Sequence, residues 1–485
     1  MVLTARLAQA QQEPPKVLVH YMPWYQTPEV SGYWGWHWTM NHFDPEQVGA
    51  DGQRAIASQH YPSIGPYDSS DPDVLEYHTL LMTVAGIDGV IVDWYGTSSL
   101  FDYPVLNEAS KALFGAIEAA DLLFAVCYED ATLARLIENG RIADGDAIAQ
   151  AQADFQFVRD EWTTSPAYLT HNGQPVIFNF GPQHLNTSAE WASALSVFSE
   201  PPVLINQDRR VAPAGSGGFP WPPMWASTDG VLTPAQLLQY LNNFYSQARF
   251  WPVTVGSAFP GFHDIYEEAG VRESYGYLDP RDGDILRVTF DQAVGQEVPM
   301  IQLVTWNDFG EGTTIEPTVE YGTQYLQFIQ SRVQGWRDLP FVAEDLRLPE
   351  QIFRARKDYA GDATVQAEAD AAAEALRTGD PTTARALLNA AALSDEPVAE
   401  RSFHISLRPN PANGHAAVRV DLDAPQHLRA EAYDVLGRRV HTFADAWHPA
   451  GRHDFAWSLD EPSGVYVIRV TAGDAVQTRL LTVRR

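Results

Sequence analysis

The chain's most constraining feature is an alternation of short apolar runs with longer helical stretches. The runs are Val17 to Tyr25, Gly89 to Trp94, Leu122 to Tyr128, Pro175 to Phe180, Val203 to Asn206, a weak one near Trp221 to Trp225, Trp251 to Val255 and Ile301 to Trp306. Helical patterns lie between them, clearest at Pro104 to Ala120, Gly145 to Trp162, Pro234 to Ala248 and Arg287 to Val294, several opened by Pro or by Asp and Thr caps. Eight strands alternating with helices over about 320 residues predict an α/β chain folded as a (β/α)8 barrel. A doubly wound sheet fits less well, because no glycine-rich phosphate loop follows the first run.

In such a barrel the functional face is built where the strands end. The last run delivers the richest ending, TWNDFGEGTTIEP from Thr305 to Pro317. Asp308 and Glu311 stand three residues apart, with Gly310 and Gly312 expected to turn the chain so that both carboxylates face one space. Two closely held carboxylates are what glycoside cleavage requires: one protonates the leaving oxygen, the other serves as base or nucleophile. Trp306, Asn307 and Glu316 flank the pair.

Other strand ends are also polar and aromatic. The first ends in His20, Tyr21, Trp24 and Tyr25, the second in Asp93, Trp94 and Tyr95, and the third in Tyr128, Glu129 and Asp130, while His263 and Asp264 follow the seventh. Asp93 and Glu129 are reserve acids, each reading equally well as an inner-barrel hydrogen-bond partner. His263 and Asp264 read as groups that orient substrate hydroxyls, since no third ligand stands at metal spacing. The loop GYWGWHW, Gly32 to Trp38, places His37 and Trp38 in a segment too aromatic for solvent, which lids the barrel or floors a sugar subsite.

Composition narrows the partner. A net charge of −30 with only Lys16, Lys111 and Lys357 as lysines argues against nucleic acid and against an anionic membrane surface. Fourteen Trp and 12% aromatic residues favour a carbohydrate, whose rings stack on such faces. Cys127 is the single cysteine, inside the run LLFAVCYED, so it reads as a buried strand thiol with no disulfide framework and no cysteine-based metal site. The segment DPRDGD, Asp279 to Asp284, lacks the Glu that would close a calcium loop. No metal or cofactor is expected, and no run approaches the ~18 apolar residues of a membrane span.

Residues 1–15 carry Ala8, Gln9 and Ala10, like the small-residue end of a truncated export signal. The barrel is assigned to 16–337. Residues 338–400 form a linker with one helical hairpin, from Val365 to Thr378 and from Thr382 to Ala391, split at Gly379, Asp380 and Pro381. From 401 to 485 the pattern becomes strand-length alternation such as AVRVDLD, Ala417 to Asp423, divided by glycine turns, which predicts a small β-sandwich.

Two resemblances rest on these residues. HYMPWY at His20 to Tyr25, the pair His37 and Trp38, VDWYG at Val92 to Gly96, YLTHNGQPVIFNF at Tyr168 to Phe180, PGFHD at Pro260 to Asp264 and the Thr305 to Pro317 motif resemble glycoside hydrolase families 71 and 99, nearer to family 99, the endo-α-mannosidase family. That resemblance implies retaining, metal-free cleavage of internal α-mannosidic linkages. In it Asp308 deprotonates the sugar 2-hydroxyl, which closes a 1,2-anhydro ring, and Glu311 serves as acid and then base. The family usually has Glu, Trp and His where this chain has Asp308, Phe309 and Gly310, and the Trp-Asn-Asp form is nearer to family 71, whose members cut α-1,3-glucan. An endo-α-1,3-glucanase-like hydrolase and a non-catalytic surface glycan-binding protein are therefore the alternatives. SLRPNPANG at Ser406 to Gly414, YDVLGRRV at Tyr433 to Val440, SGVYVIRV at Ser463 to Val470 and the end at Arg484 and Arg485 resemble the sorting tail of type IX secretion. This implies a bacterial protein, secreted or held at the cell surface, with the secretion machinery as a second partner.

Overall fold

Eight short strands, buried along nearly their whole length, close into a ring. In the computed structural model, which describes residues 13–49, 52–394, 403–408, 412–422, 425–434, 438–459, 462–472 and 475–483, they are β1 (Lys16–Tyr21), β2 (Gly89–Trp94), β3 (Leu123–Tyr128), β4 (Gln174–Asn179), β5 (Val203–Gln207), β6 (Gly217–Phe219), β7 (Val253–Ala258) and β8 (Met300–Leu303). All pair in parallel with their sequence neighbours. The ring closes because β1 also pairs with β8, Val17 opposite Ile301 and Val19 opposite Leu303. Their β-branched, apolar residues suit strands covered on both faces, and β2 is buried at every position.

Helices wrap the ring, and their ends follow local chemistry. Helix α1 (Pro72–Ala85) starts at Asp71, whose carboxylate accepts from the Asp73 amide, and stops at Gly86 with φ 75°. Helix α2 (Pro234–Ala248) opens with a reciprocal Thr233–Gln236 capping box and Pro in its first turn. The connection from β5 to β6, Gln207 to Gly217, contains no helix. There the sequence expectation shifts: the run at Trp221 to Trp225 is not a strand. The strand is Gly217–Phe219, where an added Cβ on Gly217 would stand 1.8 Å from the Val253 carbonyl oxygen, so glycine permits the close approach to β7.

The described residues fall into two compact units, one within 1–390 and the other within 391–485. The hairpin read from sequence is seen as Ala363–Arg377 and Pro381–Ser394; beyond the barrel strands the first unit holds the former together with Leu348–Asp358, a helix not read from sequence. Both pack on α1, and Arg356 and Arg377 pair with its Glu76. The second unit is antiparallel: one sheet of Phe403–Arg408, His415–Leu422 and Gly451–Ser458, and one of Arg439–His448, Gln426–Tyr433, Gly464–Ala472 and Ala475–Val483. Val418, Val420, Leu428, Ile468, Val470 and Leu481 fill the space between them, as expected of a small sandwich. Residues 1–12 of the leader, Arg484 and Arg485, and positions 409–411 and 435–437 of the sorting-tail motifs lie outside the described residues. Among the described residues no helix is long and apolar enough to cross a membrane.

Candidate active site

The strand ends gather around a cavity of about 210 Å³ lined by His20, Met22, Trp24, His37, Asp93, Tyr95, Glu129, Phe180, Trp221, Tyr266, Asp308 and Glu311. Four carboxyl groups therefore share one small space with aromatic walls, and neither Lys nor Arg lines it. Trp24 and His37 stack with ring centroids 4.1 Å apart and planes at 4°, while Trp221 stands edge-on to both His20 and Phe180. Flat apolar faces beside convergent polar groups suit a sugar, whose ring carries both kinds of surface.

The loop after β8 sets the acid pair. Asp308 donates its amide to Thr305 Oγ1 at 2.8 Å, and its Oδ1 accepts the Glu311 amide at 2.9 Å. The chain turns back at Gly312, φ 65°, where a Cβ would stand 2.6 Å from the His263 carbonyl oxygen. Gly310 adopts no such backbone. The segment after β7 clamps the loop, His263 N donating to Glu311 O at 2.9 Å and Ile265 N to Gly310 O at 3.0 Å.

Several residues expected in the site support it from behind. Tyr25 donates its hydroxyl to the Asn307 carbonyl at 2.8 Å and accepts the Phe309 amide at 3.1 Å. Asn307 is held by both backbone groups of Met22, at 2.8 and 3.0 Å, and donates to Tyr67. Glu316, 1% exposed, accepts from Tyr67 at 2.7 Å and stands 3.2 Å from His78 Nε2, whose other nitrogen meets Tyr21. Trp38 donates to the Tyr67 carbonyl and packs on Tyr25; Trp94 donates to Asn107 among Tyr128, Phe157 and Trp162. The structure thus brings Trp24, His37, Asp93, Tyr95, Glu129, Asp308 and Glu311 to the cavity, and sets Tyr21, Tyr25, Trp38, Trp94, Asn307 and Glu316 off it. His263 and Asp264 line a separate groove with Glu267, Glu268 and Tyr277. The Asp264 carboxylate is committed to its own loop, accepting from Tyr266 N, Ser274 Oγ and Tyr275 N.

His20, named above as a strand end, lines the cavity, as do four residues for which the sequence suggests no site role: Met22, Phe180, Trp221 and Tyr266. Met22 and Phe180 sit inside strand-end motifs, where the same logic points to the cavity. Trp221 lies in a segment whose hydrophobicity reads as a strand, and nothing local marks Tyr266.

Burial governs the electrostatics. It pushes the Asp308 carboxyl up to about 7, opposed by the Glu311 and Gly310 amides, and Asp93 up to about 7, opposed by a hydrogen bond from Tyr95. Glu129 and Glu311 rise well above the usual carboxylate range, through burial and then through the charges of Asp93 and Asp308 respectively. Those two keep part of their surface open, whereas Asp93 and Asp308 are each 3% exposed. Burial also lowers His20 to about 4 and His37 to about 3, so both are neutral at pH 7.

These shifts carry a stability consequence. The folded Asp308 holds its proton up to about pH 7, whereas an unfolded Asp loses it near 4. Its contribution to stability is therefore complete below about pH 4 and is lost as pH rises through 7, an effect on the order of a few kcal/mol. Thermal melts of Asp308→Asn should show a midpoint gain over the parent that grows from pH 4 to pH 8. A difference independent of pH would contradict the buried, protonated carboxyl.

The model of glycosyl hydrolase family 99 matches residues 15–203, which include His20, Asp93 and Glu129 but end before Asp308. A glycoprotein endo-alpha-1,2-mannosidase of Xenopus laevis is 30% identical over 355 residues, covering 65% of this chain and 73% of that protein. The chain belongs to glycosyl hydrolase family 99. The glycoprotein endo-alpha-1,2-mannosidase of Mus musculus is 25% identical over 339 residues, 64% of this chain and 70% of the relative. A zebrafish endo-alpha-1,2-mannosidase-like protein is 34% identical over 85 residues, so the chain spans only 19% of that relative. The solved structure of an endo-alpha-mannosidase from Bacteroides thetaiotaomicron, in complex with BIS-TRIS-propane, shares the family-99 barrel with TM-score 0.51. It is 20% identical and covers 66% of this chain and 97% of that one, a likeness of fold. The closed parallel barrel is the one the strand pattern predicts, and membership of the family makes the chain a glycoside hydrolase.

Proposed function

We propose that this glycoside hydrolase cleaves internal α-mannosidic or closely related α-glycan linkages with retention, using Asp308 as base and Glu311 as acid. The observation that carries the reading is the carboxyl pair on one buried loop: Asp308 Oδ1 accepts the Glu311 amide at 2.9 Å and both side chains line one cavity. Burial lifts Asp308 to about 7 against the Glu311 and Gly310 amides, while burial first and the Asp308 charge second raise Glu311 well above the usual carboxylate range. Two buried carboxyl groups facing one space, each able to hold a proton toward neutral pH, are the arrangement acid–base catalysis needs.

In the proposed cycle the Asp308 carboxylate takes the proton of the sugar 2-hydroxyl. The freed oxygen displaces the leaving group at the anomeric carbon, and Glu311 protonates the departing oxygen. Water then opens the 1,2-anhydro ring at the anomeric carbon, giving its proton to the Glu311 carboxylate, while O2 regains its proton from Asp308. Two inversions leave the anomeric configuration unchanged. The kcat/KM of such a pair should rise with pH as Asp308 ionises near 7 and fall once Glu311 loses its proton, a bell that a pH–rate series records.

The substrate is tested by incubating the protein with a panel of α-mannans and α-glucans, counting reducing ends and following the first anomer by NMR. Retained α-mannose ends support the reading. Release from α-1,3-glucan alone would move the substrate to glucan, and binding without turnover on every polymer would overturn catalysis. The sandwich with its sorting-tail motifs supports export by a type IX pathway to the cell surface, and recovery of the full chain only from the cytoplasmic fraction of its host would overturn that.

A further inference from the structure

At the edge of the cavity, two of whose lining residues take part, lies a donor set that glycoside cleavage does not use. His20 at the end of β1, Asp93 on β2 and Cys127 on β3 are 0%, 3% and 0% exposed, with Asp93 and Cys127 directly opposite in the strand register. One donor atom from each lies within 4.8 Å of the others. Two of these side chains leave an atom unsatisfied: His20 Nε2 and Asp93 Oδ1 have no hydrogen-bond partner. A buried polar atom without a partner costs about 1–3 kcal/mol, so two converging on one point, beside a thiol, call for an occupant.

The surrounding groups point to what that occupant is. His20 Nδ1 stands 3.4 Å from Gln302 Oε1, so a proton there leaves Nε2 with its lone pair turned inward. Asp93 receives a hydrogen bond from Tyr95. A histidine fixed through its second nitrogen and a carboxylate steadied by a hydroxyl are the outer contacts that orient metal ligands. Sulfur, nitrogen and oxygen together suit a borderline-soft ion that accepts tetrahedral geometry, with bonds of about 2.0–2.3 Å. Reaching those lengths from the present spacing requires the side chains to close by on the order of an ångström. His20 and Asp93 also line the cavity, which gives the ion an entry path, and with no Lys or Arg among the lining residues no cationic side chain opposes it there.

We propose that His20, Asp93 and Cys127 bind a single thiophilic divalent cation of the zinc class, and that its occupancy blocks glycan cleavage in the cavity above. Because His20 and Asp93 line that cavity, water or a sugar hydroxyl from it would be available to complete the shell. The ion displaces the proton of the Cys127 thiol, which burial otherwise holds in place, so binding releases a proton to solvent. The lone cysteine gave no metal signal in the sequence because the three ligands lie far apart along it and meet only through strand pairing. The inhibitory half rests on the proposed catalytic function; the binding half does not.

The test uses the full chain stripped of metal by chelation. Titration with Zn²⁺ by calorimetry should give one site per chain, with heats that differ between buffers because a proton is released. Titration with Co²⁺ should produce a thiolate-to-cobalt charge-transfer band in the near ultraviolet. Cys127→Ser, checked by thermal melting for a folded barrel, should lose the band and bind Zn²⁺ about tenfold or more weakly. Absence of the band in the parent protein overturns the site without recourse to any variant, and so does equal Zn²⁺ affinity in parent and variant. A band with undiminished hydrolysis overturns the inhibition alone. Glycan hydrolysis missing from the metal-free protein defeats the catalytic reading and leaves the metal site standing.

Discussion

Asp308→Asn and Glu311→Gln are each expected to lower kcat by about two to four orders of magnitude, the range of a positioned proton-transfer group, with little change in glycan affinity. Asparagine keeps the oxygen that accepts the Glu311 amide, so the loop retains its clamp while losing the base. Glutamine at 311 removes the proton donor and leaves the backbone bonds to His263 untouched. The two variants differ in how they respond to the leaving group. A substrate whose aglycone departs readily as an anion needs no acid, so an activated aryl glycoside should restore much of the rate to Glu311→Gln and none to Asp308→Asn. Equal rescue of both would exchange or abolish the assigned roles. Parent-like turnover in both variants would remove catalysis from this pair altogether, leaving Asp93 and Glu129 as the remaining carboxyl groups of the cavity.

The barrel was legible because strands buried on both faces write themselves as continuous apolar runs, and seven of the eight read correctly in place. The exception is instructive. Gly217–Phe219 is three residues long, begins with two glycines and pairs through backbone proximity, so neither hydrophobic period nor β-propensity marks it. Its neighbour Trp221 carries the hydrophobicity and belongs to the cavity wall instead. For the site, strand-end logic found the four carboxyl groups, but it could not separate residues that face the cavity from those one layer behind. Asn307 and Asp308 are adjacent in sequence, yet one is tied to the Met22 backbone while the other lines the cavity. That distinction comes from partners supplied by distant segments, Tyr67 and His78 among them. Neither residue belongs to a motif that announces a site.

Glu316 provides the sharpest test of this separation, because its sequence position suggested a substrate contact and its surroundings give it a structural one. It closes a buried chain running from Tyr21 through His78 to Glu316, then through Tyr67 to Asn307, joining β1, helix α1 and the loop after β8. The side chains of His78 and Glu316 are both fully shielded from solvent. Removing an acceptor from so buried a layer leaves its donor unsatisfied. Glu316→Ala deprives the buried Tyr67 hydroxyl of its acceptor, at a cost of about 1–3 kcal/mol, read as a lowered urea midpoint with unchanged slope. Glu316→Gln, which keeps one acceptor oxygen for Tyr67, should lose roughly half as much. Because Asn307 hangs from the same chain, the folded fraction of Glu316→Ala should also show a reduced kcat at near-parent KM, the signature of a displaced Asp308 rather than of a lost substrate contact. A parent-like urea midpoint combined with a KM raised tenfold or more would return Glu316 to the substrate, and with it the view that the buried layer under the cavity is part of the binding surface.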